Sequence, residues 1–170
     1  GLKMQFDNIL SWALSQSQGI KCNNKSVDIS VIIARVVMII EEFALEKGIK
    51  IITDTEENTE LNTDPKLLSI VLNNLITNAI KFSPKDSEIE VKVSSENDKT
   101  IIMVKDHGIG MSKEDLDKLF SGEDFSTKNE NRGTGLGFTV SKEIIDKLGG
   151  KIYAESEINK GTTFFIELYG

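Results

Sequence analysis

Asp106-His107-Gly108-Ile109-Gly110 and, after a polar gap, Gly133-Thr134-Gly135-Leu136-Gly137 decide how this chain is read. Six glycines fall between residues 106 and 137, out of thirteen in the whole chain. Each glycine held in ordered structure costs roughly 0.5–1 kcal/mol relative to alanine. Such a cluster therefore marks backbone that approaches a ligand closely, turns with positive φ, or moves. Two clusters flanking a polar loop point to a ligand that carries phosphate, because backbone N–H groups at a helix start bind anions.

The bulk numbers narrow the field. A chain of 170 residues is one domain, or one domain with an appendage, and can bury a real core. A net charge of −7 argues against non-specific binding to nucleic acid or anionic membrane. It leaves an anionic small ligand open, since local N–H groups override the global field. The single cysteine, Cys22, excludes an internal disulfide and a cysteine-built zinc site, and fits a reducing compartment. The longest apolar run, Val31 to Ile40, is interrupted by Arg35 and falls well short of the ~20 residues of a membrane span.

Working outward, residues 1 to about 18 place Leu2, Phe6, Ile9, Leu10, Ala13 and Leu14 at helical spacing. Either this helix packs on its own domain, or it is one strand of a helical bundle; the polar linker Lys21 to Lys25 favours the second. The division expected is 1–22 for this helix and linker and 23–170 for the main domain. Val27 to Ile29 fits a short strand. Ser30 is expected to cap a helix with Ile32, Val36, Ile39, Ile40 and Phe43 on its apolar face, ending at Gly48. A strand over Ile49 to Thr53 precedes a hairpin-like connection, Asp54 to Asn62, with a short strand around Leu61. Asp64-Pro65 starts a helix running to Ser83-Pro84. On it Asn74 and Asn78, four apart, point the same way beside apolar residues.

Ile89, Val91 and Val93 alternate as a half-buried strand, and Ile101 to Val104 is a continuous apolar one, with Asn97-Asp98 turning between them. Ser112 with Asp115 starts a short helix. Asp117 to Arg132 reads as a long polar loop, and Leu136 to Leu148 as a helix stopped by Gly149-Gly150. Strands over Lys151–Glu157 and Thr162–Leu168 close the chain. The order predicts an α/β two-layer sandwich, a mixed and mostly antiparallel sheet packed on helices, with an amphipathic helix in front.

Neither glycine motif is specific alone. A dinucleotide fold would place its glycines in the first strand-to-helix turn, and a Gly-x-x-x-x-Gly-Lys-Ser/Thr phosphate loop is absent. Five motifs in one order are another matter: Asn74 to Phe82, Asp106-x-Gly108-x-Gly110, Phe120 with Phe125, Gly133 to Gly137, and Gly161-Thr-Thr-Phe164. Over about residues 26–168 the chain resembles the catalytic ATP-binding domain of two-component sensor histidine kinases, in the wider ATPase family that includes gyrase, Hsp90 and MutL. The first helix, through Ile9 to Gln16, resembles the second helix of those kinases' dimerisation and phosphoacceptor domain.

The resemblance implies a Bergerat-type ATP-binding fold, ATP and Mg²⁺ as cofactors, and transfer of the γ-phosphoryl group to a histidine. That histidine sits on a dimerisation helix outside this sequence, and its phosphate passes on to a response regulator receiver domain. A homodimeric parent, a cytoplasmic domain and no nucleic-acid partner are implied as well, with a membrane anchor elsewhere in the parent left open. Asp106 would accept the adenine amine, with Gly108, Ile109 and Gly110 passing close to base and ribose. Asn78 would ligate Mg²⁺, Asn74 would contact the metal's waters or a phosphate, and Lys81 would reach phosphate. Gly133, Thr134, Gly135, Leu136 and Gly137 would cradle the phosphates. Thr163, expected at the sheet edge, would help close the base pocket. Phe120 and Phe125 would anchor a lid whose Lys128 or Arg132 neutralises developing charge.

Blander readings stand beside these. The asparagines fit a satisfied helix boundary, the phenylalanines a minor core, and Lys128 and Arg132 a solvated surface. His107, the only histidine, falls at a variable position of the adenine motif and reads as incidental. Asn74 cannot take a proton from water at neutral pH, which favours phosphotransfer over hydrolysis. The rival functions are an anti-sigma-type serine kinase and a module that senses nucleotide without transferring phosphate.

Overall fold

A computed structural model describes residues 21–55, 59–122 and 136–170, with Leu136 described in its backbone only. The expected helix over residues 1–18 lies outside them. The elements are β1 (Lys25–Asp28), α1 (Ile29–Glu46), β2 (Lys50–Thr55), β3 (Glu60–Thr63), α2 (Pro65–Phe82), β4 (Glu88–Glu96) and β5 (Lys99–Lys105). There follow α3 (Lys113–Ser121), α4 (Leu136–Lys147), β6 (Lys151–Glu157) and β7 (Gly161–Tyr169). A five-stranded sheet, ordered β2-β4-β5-β7-β6, packs against α1, α2 and α4. Only β2 and β4 run parallel; the other pairs are antiparallel. This is the α/β two-layer sandwich that the sequence implied.

The helices form where their apolar positions recur every three or four residues. On α1 the buried stripe is Ile29, Ile32, Ile33, Val36, Ile40 and Ala44, and on α2 it is Leu68, Val71, Leu72, Leu75, Ile76, Ala79 and Ile80. These meet the inward residues Ile89, Val91, Val93, Ile102, Val104, Ile166 and Leu168 of the sheet. Truncating one such fully buried side chain, Leu72→Ala for instance, costs about 2–5 kcal/mol.

Asp64 caps α2: its Oδ1 accepts from Lys66 N at 2.9 Å and Leu67 N at 3.1 Å, and Pro65 follows at the first helical position. At the other end Lys47 Nζ donates to the carbonyls of Ile80 and Lys81, both at 2.9 Å. The helix that carries both asparagines is thus tied at each end by a charged side chain.

Several local expectations are corrected. The cap of α1 is Asp28, whose Oδ1 accepts from Ser30 N at 2.9 Å, so Ser30 lies inside the first turn. Ile39 is 74% exposed, because the one-residue step from Ile40 rotates it about 100° off the buried stripe. Val31, Met38 and Leu45 are exposed on that helix as well. Asp54 to Asn62 is not a hairpin connection: β3 pairs antiparallel with β1 in a separate two-stranded ribbon, and β2 pairs with β4. Strand β5 alternates rather than being buried throughout. Its outward Met103 lies opposite Phe165, which stacks on Tyr153 with centroids 4.9 Å apart. The stretch expected as a loop from Asp117 is helical as far as Ser121, since Leu116, Leu119 and Phe120 continue the helical spacing set by the Ser112 cap.

Candidate functional site

The first glycine cluster leaves β5 and passes beneath the β6–β7 hairpin. Asp106 is 7% exposed. Its N–H donates to the Thr162 carbonyl at 2.9 Å, while its Oδ1 accepts from Thr162 N at 3.1 Å and Gly108 N at 2.8 Å. Both backbone bonds thus go to one carboxylate oxygen. Burial pushes the Asp106 carboxyl above its usual range, opposed by the Gly108 and Thr162 amides and by His107. A side chain that is held by the backbone yet still disfavoured as an anion suits a group whose second oxygen meets a hydrogen-bond donor on a ligand.

The close approach of the two chain segments requires glycine. Gly161 has φ +110°, and a Cβ there would overlap the Asp106 carbonyl oxygen. The rest of the loop is pinned to the same hairpin. Asn159 N donates to Ile109 O at 2.7 Å, Gly110 packs under the Glu157 carbonyl, and Met111 N donates to Ser156 Oγ at 2.8 Å. Ser156 Oγ in turn donates to Gly161 O at 3.1 Å. Ile109 remains 48% exposed at the rim. Gly108 lies against the Phe82 carbonyl, which joins this wall to the C-terminal end of α2.

Helices α2 and α4 make the second wall. Asn74 and Asn78 are half-buried on α2. Asn74 Nδ2 donates to Ser141 Oγ on α4 at 2.9 Å, and Ser141 is 1% exposed. Gly137, in the first turn of α4, faces the other end of the same amide: a Cβ there would stand 2.5 Å from Asn74 Oδ1. Lys81 is exposed, its Nζ 5.1 Å from the Phe82 ring centroid. Among the described residues no group of three or more His, Cys, Asp or Glu could hold a metal. The donors available are therefore the neutral amide oxygens of α2. They suit a cation that keeps most of its shell from water and phosphate, as Mg²⁺ does.

Phe120 closes α3 onto the core. Its ring meets Phe138 edge-on at 4.8 Å, Phe138 meets Phe164 at 5.6 Å, and Lys142 Nζ donates to the Phe120 carbonyl at 2.9 Å. Phe125, Lys128, Arg132, Gly133, Thr134 and Gly135 lie outside the described residues, as does the Leu136 side chain.

Thr163 is not at a sheet edge, because β7 lies between β5 and β6. Its neighbour Thr162 makes the bonds to Asp106. His107 stands half-exposed with Nε2 3.9 Å from Glu90 Oε1, beside Lys105 and Lys92. The hydrogen bond from Lys105 holds the Glu90 carboxyl below its usual range against the effect of burial.

Reading by motif assigned the role in Gly161-Thr-Thr-Phe164 to Thr163 rather than Thr162, and it missed Ser141, Ser156 and Lys47. Of those three, Ser141 left a sequence signal, a serine on the inner face of α4 one turn after Gly137.

Residues 63–169 match the family described as the histidine kinase-, DNA gyrase B- and HSP90-like ATPase. The signal transduction histidine-protein kinase ArlS of Staphylococcus aureus is 40% identical over 115 residues, 66% of this chain and 26% of that protein. The autoinducer 2 sensor kinase/phosphatase LuxQ of Vibrio parahaemolyticus is 33% identical over 132 residues, 72% of this chain and 15% of that protein. The chain thus spans about a quarter of the length of one of these relatives and less of the other. The nucleotide-free catalytic domain of histidine kinase ThkA superposes with a TM-score of 0.77 at 28% identity, covering 86% of this chain and 95% of that one. ThkA in complex with the response regulator TrrA gives 0.81 at 24% identity over 98% of this chain and 47% of that one, a likeness of fold.

Proposed function

We infer that this chain, which belongs to the histidine kinase-, DNA gyrase B- and HSP90-like ATPase family and is homologous to sensor histidine kinase catalytic domains, binds ATP with Mg²⁺ and acts as the catalytic domain of a two-component kinase, with ATP the phosphoryl donor. The observation that carries the reading is Asp106, buried, with one oxygen fixed by the Gly108 and Thr162 amides. Its other oxygen accepts the exocyclic amine of adenine, which guanine lacks at that position. Gly108, Ile109 and Gly110 form the floor under base and ribose, and Thr162, on the same face of the sheet as Asp106, closes it from β7.

Across the site Asn78 and Asn74 offer neutral oxygens to the cation side, and Lys81 extends to phosphate. Gly133 to Gly137 and the start of α4 supply N–H groups to the phosphate oxygens. Bound there, Mg²⁺ would neutralise phosphate charge as phosphoryl transfer proceeds. Lys128 and Arg132 add positive charge, and Phe120 with Phe125 anchors the segment that bears it.

The chemistry is in-line transfer. A lone pair of the acceptor imidazole nitrogen forms the P–N bond, the bond to the β–γ bridging oxygen breaks, and ADP leaves with that electron pair. Asn74 supports transfer over hydrolysis, because an amide cannot deprotonate water. The acceptor belongs to a dimerisation segment of the same parent protein, a homodimer, and a response regulator receives the phosphate next. The domain lies on the cytoplasmic side of its parent on this reading; no helix among the described residues is long and apolar enough to cross a membrane.

The test is calorimetric titration with ATP and GTP, followed by incubation with Mg·ATP and the parent's dimerisation segment supplied in trans. ATP-selective binding and acid-labile phosphohistidine on the added segment are the expected outcomes. Equal affinity for GTP, or phosphate on His107, would overturn the assignment. Tight ATP binding with no transfer would leave a nucleotide-sensing module, and acid-stable phosphoserine an anti-sigma-type kinase.

A further inference from the structure

We propose that Ser141 is a positioning residue that commits Asn74 to the cation side of the site. Asn74 stands between two helices that use its amide differently. Its Nδ2 donates to Ser141 Oγ at 2.9 Å, and Ser141, 1% exposed, meets no solvent that could replace that bond. The opposite end, Oδ1, lies where Gly137 has no side chain, 2.5 Å from the position a Cβ would take. Gly137 belongs to the first turn of α4, whose free N–H groups carry partial positive charge, so an oxygen is favoured there over an NH₂ group. The serine and the helix start therefore select the same rotamer of one amide.

The consequence is chemical. With Nδ2 turned toward Ser141 and one of its two protons used there, the atom that Asn74 turns to the start of α4, at the edge of a site for phosphate, is the acceptor Oδ1, and phosphate oxygens are acceptors too. A cation, or water held by one, reconciles two acceptors and adds charge neutralisation that an ordinary bridging water lacks. Of the two roles open to Asn74, contact with phosphate or with a hydrated cation, the geometry supports the second. Ser141 holds it there without touching ligand, and α4 is thereby coupled to α2 through a group that reports cation binding.

The inference rests on the ATP-binding reading, and the experiments separate the two. ATP affinity is measured by calorimetry with Mg²⁺ and with EDTA for wild type, Ser141→Ala, Asn74→Ala and the double variant, with Tm for each. Ser141→Ala is expected to lower the ratio of affinities with and without Mg²⁺ by about fivefold, the scale of one hydrogen bond. The double variant should be no worse than Asn74→Ala, because both changes act through one amide. A Ser141→Ala defect of equal size in Mg²⁺ and EDTA overturns the proposal, as does an additive double variant. A second readout needs no nucleotide. The Asn74 side-chain amide, identified by its loss in Asn74→Ala, should show protons protected from solvent exchange in wild type and unprotected in Ser141→Ala. Unchanged protection overturns the proposal whatever the Tm. Failure of wild type to bind ATP at all would remove the functional reading while leaving the protection result to judge the contact.

Discussion

Asp64 and Asp106 are both aspartates at the junction of a strand with the next segment, buried to 5% and 7% exposure, and both take hydrogen bonds from backbone N–H groups. Their carboxyls are nevertheless displaced in opposite directions. At Asp64 burial pushes upward, but the amides of Asn23, Leu67 and Lys66 and the charge of Lys66 outweigh it, and the carboxyl lies below its usual range. At Asp106 burial wins over the Gly108 and Thr162 amides, and the carboxyl lies above it. The difference is in how the oxygens are used. Asp64 has both occupied, Oδ1 by the first turn of α2 and Oδ2 by Asn23 N at 2.7 Å. Asp106 takes both of its backbone amides on Oδ1. One charge serves the fold, and the other, on the proposed reading, takes a donor from a ligand.

The largest effect that could break this contrast is expected from Asp106→Asn. The amide oxygen still accepts from Gly108 and Thr162, but an NH₂ group now faces the adenine amine. ATP affinity should fall about a hundredfold or more in calorimetry, while Tm at neutral pH rises because no charge is buried. A fall in both would mean that Asp106 is structural, like Asp64. Asp64→Ala should do the reverse, lowering stability by about 1–2 kcal/mol in urea unfolding and leaving ATP affinity within about twofold.

The pH dependence carries the same contrast. The depressed Asp64 carboxyl stabilises the fold fully above its unfolded pKa, and that contribution is lost as pH falls through the lower folded value. The raised Asp106 carboxyl does the opposite: its contribution is complete below the unfolded pKa and is lost as pH rises through the folded value. On the proposed reading ATP binding uses the Asp106 anion, so affinity should decline on acidification while the fold persists. In Asp106→Asn, the weak residual binding should lack this acid limb. Wild-type affinity flat across that range would refute the assignment.

The smallest effect sharpens the account of Asp64. Asp64→Asn keeps the acceptor for Lys66 and Leu67 but loses the bond from Asn23, so it should cost about half as much as Asp64→Ala. A loss as large as that of alanine would show that charge, rather than capping geometry, carries the effect.

Much of this was legible because it is local. Asp64-Pro65, Ser112 with Asp115, and Asn97-Asp98 each act within a few residues through capping or turn chemistry. They appeared where expected, with Asn97 at φ 55°. Of the α1 stripe, Ile32, Val36 and Ile40 were read, Ile29, Ile33 and Ala44 were missed, and Ile39 was misplaced by a single residue step. What failed was pairing. Strand β3 chose β1 rather than β2, and Thr163 proved interior, because strand partners are set by the packing of the whole sheet and not by neighbours in sequence. The contacts of Ser141 with Asn74, Ser156 with Met111 and Lys47 with Ile80 could not be read for the same reason: each partner lies tens of residues away.

By itself the sequence determined the family, the helices, most strands and the carboxylate and asparagines of the site, since glycine clusters, caps and periodicity follow from the covalent chain and its short-range sterics. Only the tertiary structure decided what those groups can do. It placed Thr162 on the same oxygen of Asp106 as Gly108, and Ser141 on the nitrogen of Asn74, and so, among the described residues, turned the second oxygen of Asp106 and the oxygen of Asn74 away from those bonds. Which lone pair remains available is fixed by the neighbours that close around a side chain, and those neighbours come from remote parts of the chain.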